Sequence, residues 1–214
     1  NHTLTRLLVL VKVAKVLILT NSQFKNILFS VLRFSDIIYT RLLNTSFVKC
    51  VCPLQINIKQ NQLNIRVLLL GSNFISCLCK SCGGAAKIIS TVSMRRKGEK
   101  YNESLHKVQQ LSIKANHSFF YNCHSELSGG ALAIELSFHA KYTKVNITLF
   151  VDNCSFYNST SGKYGGAVFI TNANLIFMKH CKFFNNTTGN ADEKSAQHDG
   201  AALYIKQCML SSIE

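Results

Sequence analysis

Apolar residues alternate with polar ones in short runs along most of this chain, and the runs end in a polar triplet followed by phenylalanine. The phrase reads Leu17-x-Leu19-x-Asn21-Ser-Gln-Phe24, then Leu42-Leu43-Asn44-Thr-Ser-Phe47, Leu68-x-Leu70-Gly71-Ser-Asn-Phe74 and Ile113-x-Ala115-Asn116-His-Ser-Phe119. Two further copies are Leu149-x-Val151-Asp152-Asn153-Cys-Ser-Phe156 and Phe177-Met-Lys179-His180-Cys-Lys-Phe183. A period of two sends alternate side chains to one face, so these runs predict strands with one side buried.

A second phrase follows the first. It is a glycine pair, a small residue and an alternating apolar strand: Gly83-Gly84-Ala85-Ala86, Gly129-Gly130-Ala131-Leu132 and Gly165-Gly166-Ala167-Val168, with a degraded copy at Gly200-Ala201-Ala202-Leu203. The interval from phenylalanine to first glycine is 9, 10 and 9 residues, then 17. A unit of two or three short strands cannot bury its own apolar face, but stacking unit on unit gives a continuous core with parallel ladders ~4.8 Å apart. In such a stack Gly83, Gly84, Gly129, Gly130, Gly165, Gly166 and Gly200 are structural turn residues. They allow positive φ at a sharp corner and close passage of one backbone by the next. The phenylalanines are expected to form an aromatic stack along the interior.

The expected fold is therefore all-β, a right-handed parallel β-helix of about six coils running through residues 1–214 as a single segment. Residues 71–205 are its clear repeat coils, and 16–70 are weakly repetitive coils or a cap. Residues 89–112, 137–144 and 187–199 are loop insertions leaving the coil. A β-sandwich is the other all-β option, but it does not require one phrase at every turn. Helix over Leu4–Leu19 or Ser104–Lys114 lacks caps together with a 3.6-residue stripe. The sequence opens without methionine and trails off from Cys208 to Glu214, so it reads as an incomplete fragment.

FxxN is met by Phe119-Phe-Tyr-Asn122, Phe150-Val-Asp-Asn153 and Phe183-Phe-Asn-Asn186, and GGA[ILV] by Gly129–Leu132 and Gly165–Val168. In these motifs the chain resembles the repeats of the chlamydial polymorphic outer membrane proteins, within the wider pectin-lyase-like β-helix group. The resemblance implies adhesion or surface display. Neither an autotransporter barrel nor an Arg-Gly-Asp motif accompanies it in this sequence.

Nine cysteines are many for a cytosolic chain. Cys50 and Cys77 each lie three residues after the repeat phenylalanine, Cys52 and Cys79 five after it, and Cys154 and Cys181 two before it. Stacking makes each pair vertical neighbours within disulfide range, so each is either bridged or part of an unbonded thiol ladder. The spacing of Cys50, Cys52, Cys77, Cys79 and Cys82 is not that of paired CxxC zinc knuckles, and no metal or other cofactor is expected. Nine asparagines head N-x-S/T sequons, which points to a secreted or surface glycoprotein. Asn44, Asn116 and Asn153 lie inside the repeat phrase and suit asparagine ladders. Asn102, Asn146 and Asn158 lie in or beside expected loops and are the glycosylation candidates.

Charge is uneven. Residues 1–114 hold 17 Lys/Arg and three acids, residues 115–214 seven of each, within a total of +14. A basic half suits acidic glycans or surface proteins as partners. Nucleic acid is not expected, because the basic half is poor in aromatics and carries no recognised module. Leu7 to Leu19 contains Lys12 and Lys15 and is too short for the ~20 apolar residues of a membrane span. It also lacks the features of a signal peptide. The acids are dispersed rather than clustered for calcium or for an acid and base pair. Asp152, Asp192, Glu193 and Asp199 fall in turns or a charged insertion, and His117 and His180 fall on repeat positions. No catalytic residue is assigned. The expected function is a non-catalytic extracellular or cell-surface scaffold for adhesion, matrix or glycan binding. The alternative is a polysaccharide lyase or hydrolase of the pectin-lyase-like group whose carboxylates lie outside this sequence.

Overall fold

A computed structural model of the chain describes residues 9–11, 16–27, 32–35, 38–58, 64–81, 83–91, 109–137, 145–189, 200–206 and 210–213. Every regular element among them is a strand, and every strand pairing is parallel. The chain makes the same pass repeatedly. The first comprises β1 (Val9–Val11), β2 (Val16–Thr20) and β3 (Gln23–Lys25), and the second β4 (Leu32–Ser35), β5 (Tyr39–Leu43) and β6 (Ser46–Val48). The third has β7 (Leu54–Ile58), β8 (Ile65–Leu70), β9 (Asn73–Ile75) and β10 (Leu78–Cys79). The fourth has β11 (Ala86–Thr91), β12 (Gln109–Asn116), β13 (Phe119–Tyr121) and β14 (His124–Ser125). The fifth has β15 (Leu132–Ser137), β16 (Val145–Asp152), β17 (Ser155–Tyr157) and β18 (Thr160–Ser161). The sixth has β19 (Val168–Thr171), β20 (Leu175–Lys179), β21 (Lys182–Phe184) and β22 (Thr187–Thr188), and β23 (Leu203–Lys206) and β24 (Leu210–Ile213) begin a seventh.

Corresponding strands of successive passes lie side by side. Sheet I is β1-β4-β7-β11-β15-β19-β23, sheet II β2-β5-β8-β12-β16-β20-β24, sheet III β3-β6-β9-β13-β17-β21 and sheet IV β10-β14-β18-β22. Residues 16–70 thus supply strands to sheets I, II and III on the same terms as the later repeats. Val9–Val11 form β1, Leu17 and Leu19 lie in β2 and Gln109 to Lys114 in β12, so the described parts of the two stretches where helix was the alternative are strand. The insertions are narrower than the sequence indicated. Residues 89–91 and 109–112 belong to β11 and β12, Ser137 closes β15, and Thr187–Thr188 form β22. Their remaining parts, 92–108, 138–144 and 190–199, lie outside the described residues. The first two fall between sheets I and II and the third between sheets IV and I, so length varies at two corners rather than one.

The core is a set of columns running through the stack. Leu42, Leu69, Ala115, Val151 and Met178 succeed one another on the inner face of sheet II, and all are buried. Ile56, Ile88, Ile134 and Ile170 do the same on sheet I. On sheet III the column is aromatic: Phe24, Phe47, Phe74, Phe120, Phe156 and Phe183, with ring centroids 4.8–5.0 Å apart and planes within 8°. At two positions the register differs from the one the repeat phrase suggests. The stacked ring of the fourth pass is Phe120, and Phe119 lies on the other face of β13. In β8 the buried residues are Ile65, Val67 and Leu69, while Leu68 and Leu70 face outward. With Phe120 in place, the interval to the first glycine is nine residues in each of the three complete copies.

Corners are set by left-handed residues. Between sheets II and III the position is held by Asn21, Asn44, Gly71, His117, Asn153 and His180, all at φ between 48° and 58°. After sheet III it is held by Asn26, Lys49, Ser76, Asn122, Asn158 and Asn185, all at φ between 50° and 56°. Asparagine tolerates this conformation better than other non-glycine residues, because its short amide bonds locally. The glycine pair divides two tasks. The first glycine has positive φ (65° at Gly129), and a Cβ there would strike the carbonyl three residues on. The second faces the neighbouring pass, so that a Cβ on Gly130 would overlap the Gly166 carbonyl.

Candidate functional site

The outer face of sheet III carries the most distinctive exposed surface. Because Phe120, Phe156 and Phe183 point inward, the next residue of each strand points out. Tyr121, Tyr157 and Phe184 therefore form one column, in direct register on β13, β17 and β21. Tyr121 is 40% exposed and Phe184 64%. Phe119 joins them, its centroid 6.0 Å from that of Tyr121 and 5.8 Å from that of Tyr157, and Tyr157 lies 6.0 Å from Phe184. The edge of this row is lined by the left-handed corner. There Asn185 Nδ2 donates to Asn158 Oδ1 at 2.9 Å and Asn122 Nδ2 to Ser76 Oγ at 3.4 Å. Rings that offer an apolar face beside amides that donate and accept can hold a ligand with one apolar and one hydroxylated side.

A second outward aromatic group, Tyr164, Phe169 and Tyr204, packs on Ala133 over sheet I. Phe169 is only 9% exposed, so this group acts as a local core covering the glycine corner.

The cysteines fall into columns. The position after the sheet II corner is Ser22, Thr45, Ser72, Ser118, Cys154 and Cys181. The position after the sheet III corner is Ile27, Cys50, Cys77, Cys123, Ser159 and Asn186. Thiol and hydroxyl do the same work in both. Each donates to the carbonyl two residues back, and most also to a carbonyl of the preceding pass: Ser118 Oγ to Leu69 and Asn116 at 3.1 and 3.2 Å, Cys181 Sγ to Val151 and Lys179 at 3.5 and 3.3 Å. Cys50, Cys77, Cys123, Cys154 and Cys181 are free thiols. Burial pushes Cys50 up to about 11 and Cys154 to about 12, and raises Cys181. The Cys123 thiol beside it, together with burial, holds Cys77 far above the ordinary thiol range.

Cys52 and Cys79 differ. They are joined by a disulfide across two passes, with α-carbons 4.8 Å apart. Cys52 is left-handed (φ 43°), whereas Cys79 sits in strand β10. Their Cβ vectors can therefore converge, which two identically oriented neighbours such as Cys50 and Cys77 do not achieve. Cys82 and Cys208 lie outside the described residues.

The three FxxN quartets occupy three different places. Asn122 is the corner after sheet III and Asn153 the corner after sheet II. Asn186 is buried one step beyond the sheet III corner, donating from Nδ2 to the Phe156 carbonyl at 2.9 Å. The structural phrase is instead F-x-N, as in Phe24–Asn26, Phe120–Asn122, Phe156–Asn158 and Phe183–Asn185. Of the glycosylation candidates, Asn146 is exposed near the start of strand β16, beside the 138–144 segment, and Asn158 sits at the tight corner between β17 and β18. Asn102 lies outside the described residues. Asn44 does join a ladder, donating from Nδ2 to Asn21 Oδ1 at 3.3 Å.

Three carboxylates are described. Glu126 follows β14, Glu135 lies in β15, and Asp152 ends β16 with its Oδ1 3.1 Å from His180 Nδ1. Asp192, Glu193 and Asp199 lie outside the described residues. Among the described residues no group of three or more His, Cys, Asp or Glu is placed to hold a metal ion, and no helix is long and apolar enough to cross a membrane. No family model, curated protein or solved structure matches this chain.

Proposed function

We propose that this chain is a stretch of right-handed parallel β-helix serving as a non-catalytic extracellular or cell-surface scaffold, and that it binds glycan along the outer face of sheet III. The winding order of the sheets supports the fold reading. Each return to sheet I is a crossover between parallel strands of one sheet, and such crossovers are right-handed in about 98% of cases. The Cys52–Cys79 disulfide and the sequons support an oxidising, secretory setting. The observation that carries the binding reading is the row Tyr121, Tyr157 and Phe184, outward and in register, with asparagine amides along its edge. Soluble proteins bury aromatics, and a contiguous exposed row rimmed by polar groups marks a contact surface. The C–H face of a pyranose suits these rings and its hydroxyls suit the amides.

The test is binding of the chain to a panel of neutral oligosaccharides by calorimetry. Tyr157→Ala and Phe184→Ala are each expected to weaken the best ligand by roughly tenfold, about 1.4 kcal/mol, while the β-rich circular dichroism spectrum stays unchanged. Equal affinity in both variants would remove this face as the site. Expression in a secretory host, with mobility compared before and after glycosidase treatment, tests the setting separately.

A further inference from the structure

The outer face of sheet II holds a different chemistry. Arg41 in β5, Leu68 in β8 and Lys114 in β12 are direct register partners, and Arg66 lies two residues from Leu68 on the same side of β8. Three cations therefore surround one half-buried leucine, with Arg41 and Lys114 two strand spacings apart, ~9.6 Å. The next two members of that column are Phe150 and Phe177, stacked at 4.8 Å. One described carboxylate shares this face: Asp152 lies two residues from Phe150 and diagonal to Lys114, and it is paired with His180. The described residues from 16 to 116 include Lys25, Arg33, Arg41, Lys49, Arg66, Lys80, Lys87 and Lys114 but neither Asp nor Glu. The Nε of Arg41 is shut off from solvent and has no hydrogen-bond acceptor.

We infer that this face is a second binding site, for an anionic polysaccharide laid along the stack axis. Its carboxylate or sulfate groups meet Arg41, Arg66 and Lys114, and its sugar rings rest on Leu68, Phe150 and Phe177. Three charges over ~10 Å suit a single nucleic-acid strand, at one charge per ~3.4 Å, as well as a charged polysaccharide; the stacked apolar rings and the secretory setting favour the polysaccharide, and the oligonucleotide competitor decides. The inference builds on the reading of the chain as a glycan-binding scaffold, but uses other residues and another sheet.

The probes are dextran sulfate and polygalacturonate, with unsubstituted dextran and a single-stranded oligonucleotide as competitors, at physiological ionic strength. The chain is expected to bind at least one of the two polyanions, and which one tells sulfate from carboxylate. Arg41→Gln/Arg66→Gln/Lys114→Gln together should weaken binding roughly 100-fold, at about fivefold per cation. Lys25→Gln/Lys80→Gln/Lys163→Gln, which removes the same charge elsewhere, should change it less than threefold. Single substitutions replace the triple variant if it loses its β spectrum. Equal loss in both triples, binding to neither polyanion, or displacement by the oligonucleotide at lower concentration than by either polyanion overturns the inference. Phe184→Ala should leave polyanion binding intact, so failure of the sheet III site is told apart from failure here.

Discussion

At the scale of single residues, most positions are explained by what the next pass of the chain allows. Gly130 has carbonyls of the following pass where a side chain would begin, whereas Ala201, its counterpart after Gly200, has no described pass beyond it. Gly130→Ala is therefore expected to cost about 3 kcal/mol or more in urea unfolding, and Ala201→Gly to have little effect. The thiols give a second expectation. Buried Cys50 and Cys154 have folded-state values of about 11 and 12 against 9.0 for a free thiol. A raised folded value contributes stability that is complete below the unfolded value and is lost as pH rises through the folded one. Stability should thus fall between about pH 9 and 12. At pH 8 a thiol reagent should label these residues only once the chain is unfolded, and rapid labelling of the native protein would contradict their burial.

At the scale of the strand, one face of each element is fixed by its neighbours above and below, and the adjacent doublet Phe119-Phe120 shows how narrow the assignment is. Phe120→Ala removes a fully buried ring from the middle of a six-ring column and should cost about 3–5 kcal/mol. Phe119→Ala, on the outer face, should cost less than about 1 kcal/mol. The pair, measured by chemical denaturation, checks the register of sheet III directly. The glycine pairs and the phenylalanine column were legible in the sequence, because each repeat meets the same steric demand with the same residue. Two adjacent phenylalanines, or the run Val67-Leu68-Leu69-Leu70, satisfy an alternating pattern in either register, and only the neighbouring strands choose between them. The donor columns were hidden for the opposite reason. Serine, threonine, cysteine and asparagine fill one role there, so matching by identity breaks the column apart. The outer aromatic row could be seen only after the inner phenylalanine of each strand had been identified.

At the scale of the whole molecule, each pass touches only the one before and the one after, so stability is distributed along the stack. The Cys52–Cys79 disulfide is the covalent tie between two described passes. It closes a loop of 27 residues, and loop-closure entropy puts its contribution at about 3.5 kcal/mol. Reduction, or Cys52→Ser with Cys79→Ser, should lower the urea midpoint by a corresponding amount, and an unchanged midpoint would mean that the stack holds these passes together without the bond. The two candidate faces also divide along the axis. The cations of sheet II sit on the second to fourth passes, and the aromatic row of sheet III on the fourth to sixth.

Between β11 and β12 the chain adds 17 residues beyond the described strands, yet β12 still pairs with β8 on one side and β16 on the other. Between β19 and β20 the same junction is closed by only Asn172, Ala173 and Asn174, where the Asn174 side chain accepts from the Ile147 amide at 2.8 Å. The architecture thus counts layers, not residues. Evolution can lengthen this junction, recruit new sequence into it or trim it away in one repeat, without any of the others having to change.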